Sequence, residues 1–367
     1  MSAPAILARE PAQGRAALAA AGESWRVSYA STSVSGAPAV LTGLVHLPPG
    51  VPPATGWPVV TYGHMTTGGG DSSAPSLAAD DSPELRRMTQ GDHFVAALLR
   101  AGIAVLQPDY EGLGSLGPHP YLIGPALATS VRDLLVAARS SSAFALGDSW
   151  VAAGHSEGAV AALHAAAAGP PPGVRLLGCA VFAPVTRMDQ TIGLSLRWRT
   201  TPPGFGVVPS LIALMISGAA TVDPELAALV ESDGLSDRAR RLWPELGERT
   251  LTELARRDSF GGLPPAALLG AQGPAVRGRL LASLRTHDVA RLALPAGMPL
   301  RIDAAVADEV APFWLTRALV RRYRAAGVPV EAVWWRTGHS GVLAARRAPE
   351  PAAAWVAGLL RFPQSAG

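Results

Sequence analysis

The chain contains no lysine and a single cysteine, and the cysteine count excludes two kinds of site. One thiol cannot form an internal disulfide or a cysteine metal site, and Cys179 lies in an apolar run typical of a buried strand. All 31 basic residues are therefore arginine; they are scattered, and the net charge is only +3. Because no basic stripe with interleaved aromatic residues occurs, we expect no nucleic-acid partner.

Long apolar runs are also missing. No stretch of 18 or more apolar residues occurs, so we expect no integral membrane segment. Residues 1–21 lack the basic and then apolar pattern of a signal peptide. The protein is thus expected to be cytoplasmic as written, or secreted if a leader has been removed. No H-E-x-x-H or similar cluster predicts a metal site, and no signal indicates an oligomeric state.

Strand-like and helix-like segments alternate along most of the chain, and 49% of the residues are apolar. This pattern predicts an α/β fold, with a mostly parallel sheet and helices on both faces. The predicted strands are residues 25–29, 39–46, 58–62, 103–106, 150–153, 176–182, 300–304 and 328–335. The predicted helices are residues 92–99, where Asp92 is the expected cap, 126–139, 159–168, 312–326 and 341–360.

The alternation stops after residue 185 and resumes near residue 298. The intervening residues 186–297 are helical in character and are interrupted by proline and glycine. This pattern predicts an inserted helical cap. The domain organisation expected is an N-terminal extension at 1–22, a core in two parts at 23–185 and 298–367, and the cap between them. No long disordered segment is expected beyond roughly the first twenty residues.

Residues Gly154-His155-Ser156-Glu157-Gly158 read G-x-S-x-G, between a strand-like and a helix-like segment. In that context the serine lies on a sharp, strained turn and becomes an exposed nucleophile. A serine hydroxyl needs a base, usually a histidine oriented by a carboxylate, and in this architecture the chain order is serine, acid, histidine. His339 follows the last predicted strand and is the expected base.

The acid is expected after the strand at 300–304. Asp308 lies in the turn past that strand and is favoured, with Asp303 and Glu309 as alternatives. The oxyanion hole requires backbone N–H groups. One is expected from Glu157, and the other from Met65 or Thr66 in the glycine-rich loop after the strand at 58–62.

Several segments resemble the bacterial secretory-lipase (lipase A-like) group of the α/β-hydrolase superfamily. They are residues 56–68, 74–76, 108–114, 117–121 and 154–158. The resemblance is specific from about residue 40 to 185, generic around Asp308 and His339, and weak in the cap. It implies an α/β-hydrolase fold and a serine carboxylester hydrolase with a helical lid, which needs no cofactor and acts on a small-molecule ester.

The sequence departs from that group at two site positions. The group usually has glycine where Met65 stands and often has glutamine where Glu157 stands. We hypothesise that the Glu157 carboxylate raises the pKa of the catalytic histidine or selects a polar substrate. The predicted substrate-binding residues are His64, Tyr110, Leu211 and Met215, although an apolar run such as 211–216 is more often a helix core than the lining of a pocket.

Two other functions use the same sequence features. An acyltransferase or thioesterase would use the same triad with another acceptor or acyl donor, and an alcohol competing with water would identify it. A non-catalytic binding protein on the hydrolase fold would not react with a serine-directed label. Dehalogenase and epoxide-hydrolase chemistry is not expected, because those sites have an aspartate where Ser156 stands.

Overall fold

The computed structural model describes residues 3–361. Nine strands form a single sheet. They are β1 (Ile6–Pro11), β2 (Glu23–Thr32), β3 (Pro38–Leu47), β4 (Trp57–Gly63), β5 (Ala104–Pro108), β6 (Leu146–His155), β7 (Arg175–Phe182), β8 (Leu300–Ala305) and β9 (Val330–Trp335). Their spatial order is β1-β2-β3-β5-β4-β6-β7-β8-β9. β1, β2, β3 and β5 pair antiparallel, whereas every pairing from β5 to β9 is parallel.

Helices connect the parallel strands. They are α1 (Leu85–Met88), α2 (Asp92–Arg100), α3 (Gly124–Ser140), α4 (Glu157–Ala167), α5 (Met188–Ser195), α6 (Val208–Ala220), α7 (Pro224–Glu231), α8 (Asp237–Leu242), α9 (Leu251–Leu254), α10 (Gly273–Thr286), α11 (Phe313–Ala325) and α12 (Pro349–Arg361). No helix among residues 3–361 is long and apolar enough to span a membrane.

The central strands of the sheet are buried on both faces, as the alternation of their side chains shows. In β6, Trp150 and Ala152 pack into one hydrophobic cluster, together with residues of α3, α4 and α11. Val151 and Ala153 point the opposite way, into a second cluster formed with α2 and α12. Successive residues of a strand point to opposite faces of the sheet. A strand that has helices packed on both faces must therefore carry apolar side chains on both. The predicted α/β architecture with helices on both faces is confirmed.

The segment between β7 and β8 contains α5 to α10. In place of strand pairing, its described residues form two isolated bridges, one between Leu235 and Leu269 and one from Thr250 to Gly68 of the loop after β4. Several of its helices have a proline in the first turn, as in α6 and α7. Proline suits the first helical turn because its missing N–H would have no partner there. The free thiol of Cys179 is buried in β7.

The structure adds one element to those predicted and moves the start of another. Within the predicted N-terminal extension lies β1, which pairs with β2 at the edge of the sheet. Its side chains are largely exposed, so it shows no apolar alternation and is held by backbone hydrogen bonds. The last helix begins at Pro349, not at residue 341, because residues 339–343 form a short 3₁₀ turn. Residues 1, 2 and 362–367 of the predicted segments lie outside the described part.

Candidate active site

Ser156 occupies a strained turn between β6 and α4. Its backbone has φ 57° and ψ −112°, a left-handed conformation that non-glycine residues rarely adopt. The turn leaves no room for side chains beside it. A Cβ at Gly154 would collide with the carbonyl of Gly158, and one at Gly158 would collide with the carbonyl of Gly63. The two glycines of the motif therefore permit the turn that presents the serine at the end of the sheet.

Ser156, His339 and Asp308 form a continuous hydrogen-bonded chain. The Ser156 hydroxyl oxygen lies 2.8 Å from Nε2 of His339. Nδ1 of the same ring lies 2.9 Å from each carboxylate oxygen of Asp308. Since a carboxylate only accepts, Nδ1–H donates to Asp308 and Nε2 is free to accept the serine proton. The His339 and Asp308 side chains are 4% and 1% exposed, so water does not compete for these bonds.

Local hydrogen bonds fix the acid and the base. Asp308 accepts backbone N–H bonds from Val310 (2.9 Å) and Ala311 (2.6 Å) in the turn before α11. Glu309 accepts the backbone N–H of His339 at 3.0 Å. The structure thus places Glu309, one alternative for the acid, behind the histidine backbone rather than against its ring.

Asp303, the other alternative for the catalytic acid, bonds to Arg301 and Trp335 and not to His339. It lies within β8, where it accepts from Nε of Arg301 at 2.7 Å and from the indole N–H of Trp335 at 2.8 Å. Burial raises the pKa of Asp303, and the Arg301 guanidinium opposes that shift. This carboxyl therefore forms a buried ion pair within β8 and accepts a hydrogen bond from β9.

The predicted oxyanion residues lie on two adjoining backbone segments. Glu157 is the first residue of α4, where a backbone N–H has no partner within the helix and the helix dipole favours negative charge. Met65 and Thr66 lie in the loop after β4, and both are buried. The Thr66 hydroxyl donates to the Tyr121 hydroxyl at 2.9 Å, which fixes this loop from outside the sheet.

His64 and Tyr110 stabilise the same loop through hydrogen bonds to its backbone carbonyls. Nδ1 of His64 donates to the carbonyl of Met65 at 2.7 Å, and the Tyr110 hydroxyl donates to the carbonyl of His64 at 3.1 Å. Their rings stack with centroids 4.4 Å apart. Both side chains are enclosed, so in this conformation the structure assigns them to loop support rather than to the predicted contact with substrate.

The Glu157 carboxylate does not point towards His339. Its Oε1 lies 2.8 Å from Nε2 of His119, and both side chains are only 1% exposed. A direct contact between this carboxylate and a substrate is therefore not supported. Sequence reasoning missed His119 as a site residue, although it lies in the segment 117–121 that carried the family resemblance.

The serine is covered in this conformation, with 6% of its surface exposed. The Leu251 N–H donates to the carbonyl of Thr67 at 2.8 Å, so the segment before α9 lies along the glycine-rich loop. Leu211 and Met215 are buried within the main hydrophobic cluster, which agrees with a helix-core role. From the same helix, Leu214 packs closest to the loop: a Cβ at Gly69 would lie 2.8 Å from its Cδ2.

Two adjoining cavities open beside this loop. One, of about 360 Å³, is lined by residues that include Gly69, Gly70 and His119. The second, of about 440 Å³, shares Trp243 and neighbouring residues with it and extends along α6 and α7. Among residues 3–361 no group of three or more metal-ligating side chains is assembled.

Solved structures with a similar architecture include a lipase and an esterase. Lipase A of Candida antarctica in its closed state superposes with a TM-score of 0.73 at 16% identity, covering 91% of this chain and 77% of its own. The rice cell wall degrading esterase LipA of Xanthomonas oryzae superposes with a TM-score of 0.71 at 19% identity, covering 98% and 97%. These likenesses confirm the predicted α/β-hydrolase fold.

Comparison of the sequence with known proteins and protein families identifies the family. No curated protein matches it significantly. The family model for secretory lipases, however, matches residues 84–360, a range that includes Ser156, Asp308 and His339. Since the match extends over more than half of the chain, this protein belongs to the secretory lipase family and is a serine ester hydrolase.

Proposed function

We propose that the protein hydrolyses carboxylic esters through an acyl-enzyme formed on Ser156. The observation that carries this proposal is the hydrogen-bonded chain from Ser156 through His339 to Asp308. A serine hydroxyl is a weak nucleophile, and a neutral imidazole within 3 Å is the usual means of activating it. In this chain the imidazole is already in the required tautomer, because Asp308 accepts from Nδ1–H.

The reaction has two halves. Nε2 of His339 takes the Ser156 proton as the hydroxyl oxygen attacks the ester carbonyl carbon, and the carbonyl oxygen becomes an oxyanion. The carbon–alcohol bond then breaks, and His339 gives its proton to the leaving alcohol. His339 then takes a proton from water as the water oxygen attacks the acyl carbon. The bond from that carbon to the Ser156 oxygen breaks, the acid is released, and His339 returns the proton to the serine. Asp308 stabilises the imidazolium that forms in each half.

The oxyanion is held by the Glu157 amide and by the amide of Met65 or Thr66. Such preorganised donors act where charge develops, and removing one costs about 10²- to 10³-fold in kcat in well-studied enzymes. The start of α4 supports this assignment because its dipole favours negative charge at that position.

The segment between β7 and β8 is proposed as the cap that selects the substrate. The first cavity is lined in part by Gly69 and Gly70 of the glycine-rich loop, the second adjoins the first, and both mix apolar with polar residues. They are the proposed location for the larger substituent of the ester. Because Ser156 is covered, the cap must open or shift before an ester can reach it.

The location is proposed from the family. Its description as secretory supports an exported enzyme. Fractionation of the source cells, with an antibody against this chain, would test the proposal, and retention in the cytoplasm would contradict it.

A serine-directed fluorophosphonate tests the mechanism. The label is expected to attach to Ser156, as identified by peptide mass spectrometry, and a panel of nitrophenyl esters from short to long should be hydrolysed. An unlabelled serine with no turnover on the panel would contradict the proposal. Added alcohol that diverts the acyl group faster than water releases it would indicate an acyltransferase instead.

A further inference from the structure

The hydrogen-bond partners of His119 and Glu157 determine how many protons the two side chains carry. Nδ1 of His119 lies 2.8 Å from the backbone carbonyl of Glu111. A carbonyl only accepts, so Nδ1 must carry a proton. Nε2 lies 2.8 Å from Oε1 of Glu157, a distance at which an imidazole lone pair and a carboxylate require a hydrogen between them. The pair therefore holds one shared proton, and with it has no net charge.

Removal of that proton would leave a charge that nothing else neutralises. The second oxygen of Glu157, Oε2, is buried and has no hydrogen-bond partner among the described residues. A buried carboxylate without a cation is strongly unfavourable, because the low-dielectric surroundings do not replace water. His119 is thus the group on which the neutrality of Glu157 depends.

The neighbours of the pair do not offer a substitute cation. Burial lowers the pKa of His64, which favours its neutral ring. Burial also raises the pKa of each carboxyl and phenol beside the pair. These neighbouring groups are Asp109, Tyr110, Glu111 and Tyr121.

The pair lies directly behind the proposed oxyanion site. The backbone N–H of Glu157 is the proposed donor to the oxyanion, so a charge on its own side chain would oppose the charge that develops there. Two residues after His119, Tyr121 accepts the hydroxyl of Thr66 on the opposite side of the site. The short segment 119–121 therefore contacts both backbone segments that are proposed to hold the oxyanion.

We propose that His119 and Glu157 are positioning residues for ester hydrolysis, whose shared proton keeps the oxyanion site free of net negative charge while tying α4 to the segment 119–121. This inference rests on the proposed acyl-enzyme mechanism at Ser156. It predicts that the charge of Glu157, rather than its size, determines the effect of losing His119.

The test compares His119→Gln with His119→Gln/Glu157→Gln, using a nitrophenyl ester and measuring kcat and KM separately. In the single variant the Glu157 carboxylate loses the imidazole that shares its proton, and no other cation neutralises it, so kcat should fall by about tenfold. In the double variant both side chains are neutral amides, so most of the lost kcat should return. His164→Gln is the matched control, since that largely buried histidine of α4 bonds the His287 carbonyl at 3.0 Å and not a carboxylate.

Glu157→Gln alone provides a second measurement if His119→Gln does not fold. Its amide keeps the pair neutral and can donate to Nε2 of His119, so this variant should retain more kcat than Glu157→Ala, which cannot bond His119. A double variant as slow as His119→Gln, a His119→Gln enzyme equal to wild type, or a Glu157→Gln enzyme no faster than Glu157→Ala would each overturn the proposal. Wild-type turnover in the same assay would leave the acyl-enzyme mechanism standing, whereas an inactive and unlabelled wild type would refute both.

Discussion

Nε2 of His339 lies 2.8 Å from the hydroxyl oxygen of Ser156, although 183 positions separate the two residues in the sequence. This distance is set by the sheet, because Ser156 follows β6 and His339 follows β9 at the same edge. Parallel strands bring their carboxyl ends together, so residues far apart in the chain converge there.

Ser156→Ala should abolish ester hydrolysis without unfolding the protein. The alanine keeps the Cβ and the same left-handed backbone, so the strain of the turn is unchanged, while the attacking oxygen is lost. Loss of a triad serine lowers kcat by up to about 10⁶-fold. Nitrophenyl ester turnover and a thermal melt measure the two effects. Residual activity close to wild type would show that another residue is the nucleophile.

Asp308→Asn and Asp303→Asn should separate catalysis from stability. Asp308 orients the His339 tautomer, so its asparagine variant should lose about 10⁴-fold in kcat with little change in stability. Asp303 is bound to Arg301 in β8, and its asparagine variant should lose about 3 kcal/mol of unfolding free energy while the folded fraction retains its kcat. Kinetics and urea unfolding of both variants measure this. A catalytically dead Asp303→Asn beside a near-normal Asp308→Asn would reverse the assignment of the acid.

The sequence contained enough to predict which catalytic candidates converge. The motif around Ser156 and the order of Asp308 and His339 depend on strand succession, which apolar patterning reveals. The pairing of His119 with Glu157 was not predictable in this way, because it joins a loop to the first turn of α4 through side-chain geometry that no periodicity encodes. Similarly, β1 is held by backbone bonds and its side chains are exposed, so its sequence carries no apolar signal.

Gly158→Ala should disrupt the site, whereas Gly278→Ala should not. A Cβ at Gly158 meets the Gly63 backbone carbonyl, which cannot move without shifting β4 and the glycine-rich loop after it. Gly278 is an exposed position inside α10 with no atom within 4 Å of an added Cβ, so alanine there should stabilise the helix by up to about 1 kcal/mol. Thermal melts and ester turnover of the two variants measure the contrast. Normal activity in Gly158→Ala would show that the turn tolerates a side chain.

Asp92→Asn should stabilise the protein at alkaline pH and have little effect in acid. Asp92 begins α2, where the side chain makes no capping hydrogen bond, contrary to the predicted cap. Burial raises its pKa from 3.8 to about 7, with Arg15 opposing the shift. The folded protein therefore retains this proton where the unfolded chain has lost it. Stability from this group is fully present below the unfolded pKa and is lost as pH rises through about 7.

Above that pH the asparagine variant removes the cost of a buried charge. Its unfolding free energy should exceed that of wild type by up to about 4 kcal/mol near pH 8.5, and the gain should vanish near pH 4. Asp148→Asn is the control with the opposite sign, because the hydrogen bond from Arg175 lowers the pKa of that exposed carboxyl. Urea unfolding at both pH values measures the difference. An equal gain at acid and alkaline pH would mean that packing or helix propensity, rather than ionisation of Asp92, accounts for the stabilisation.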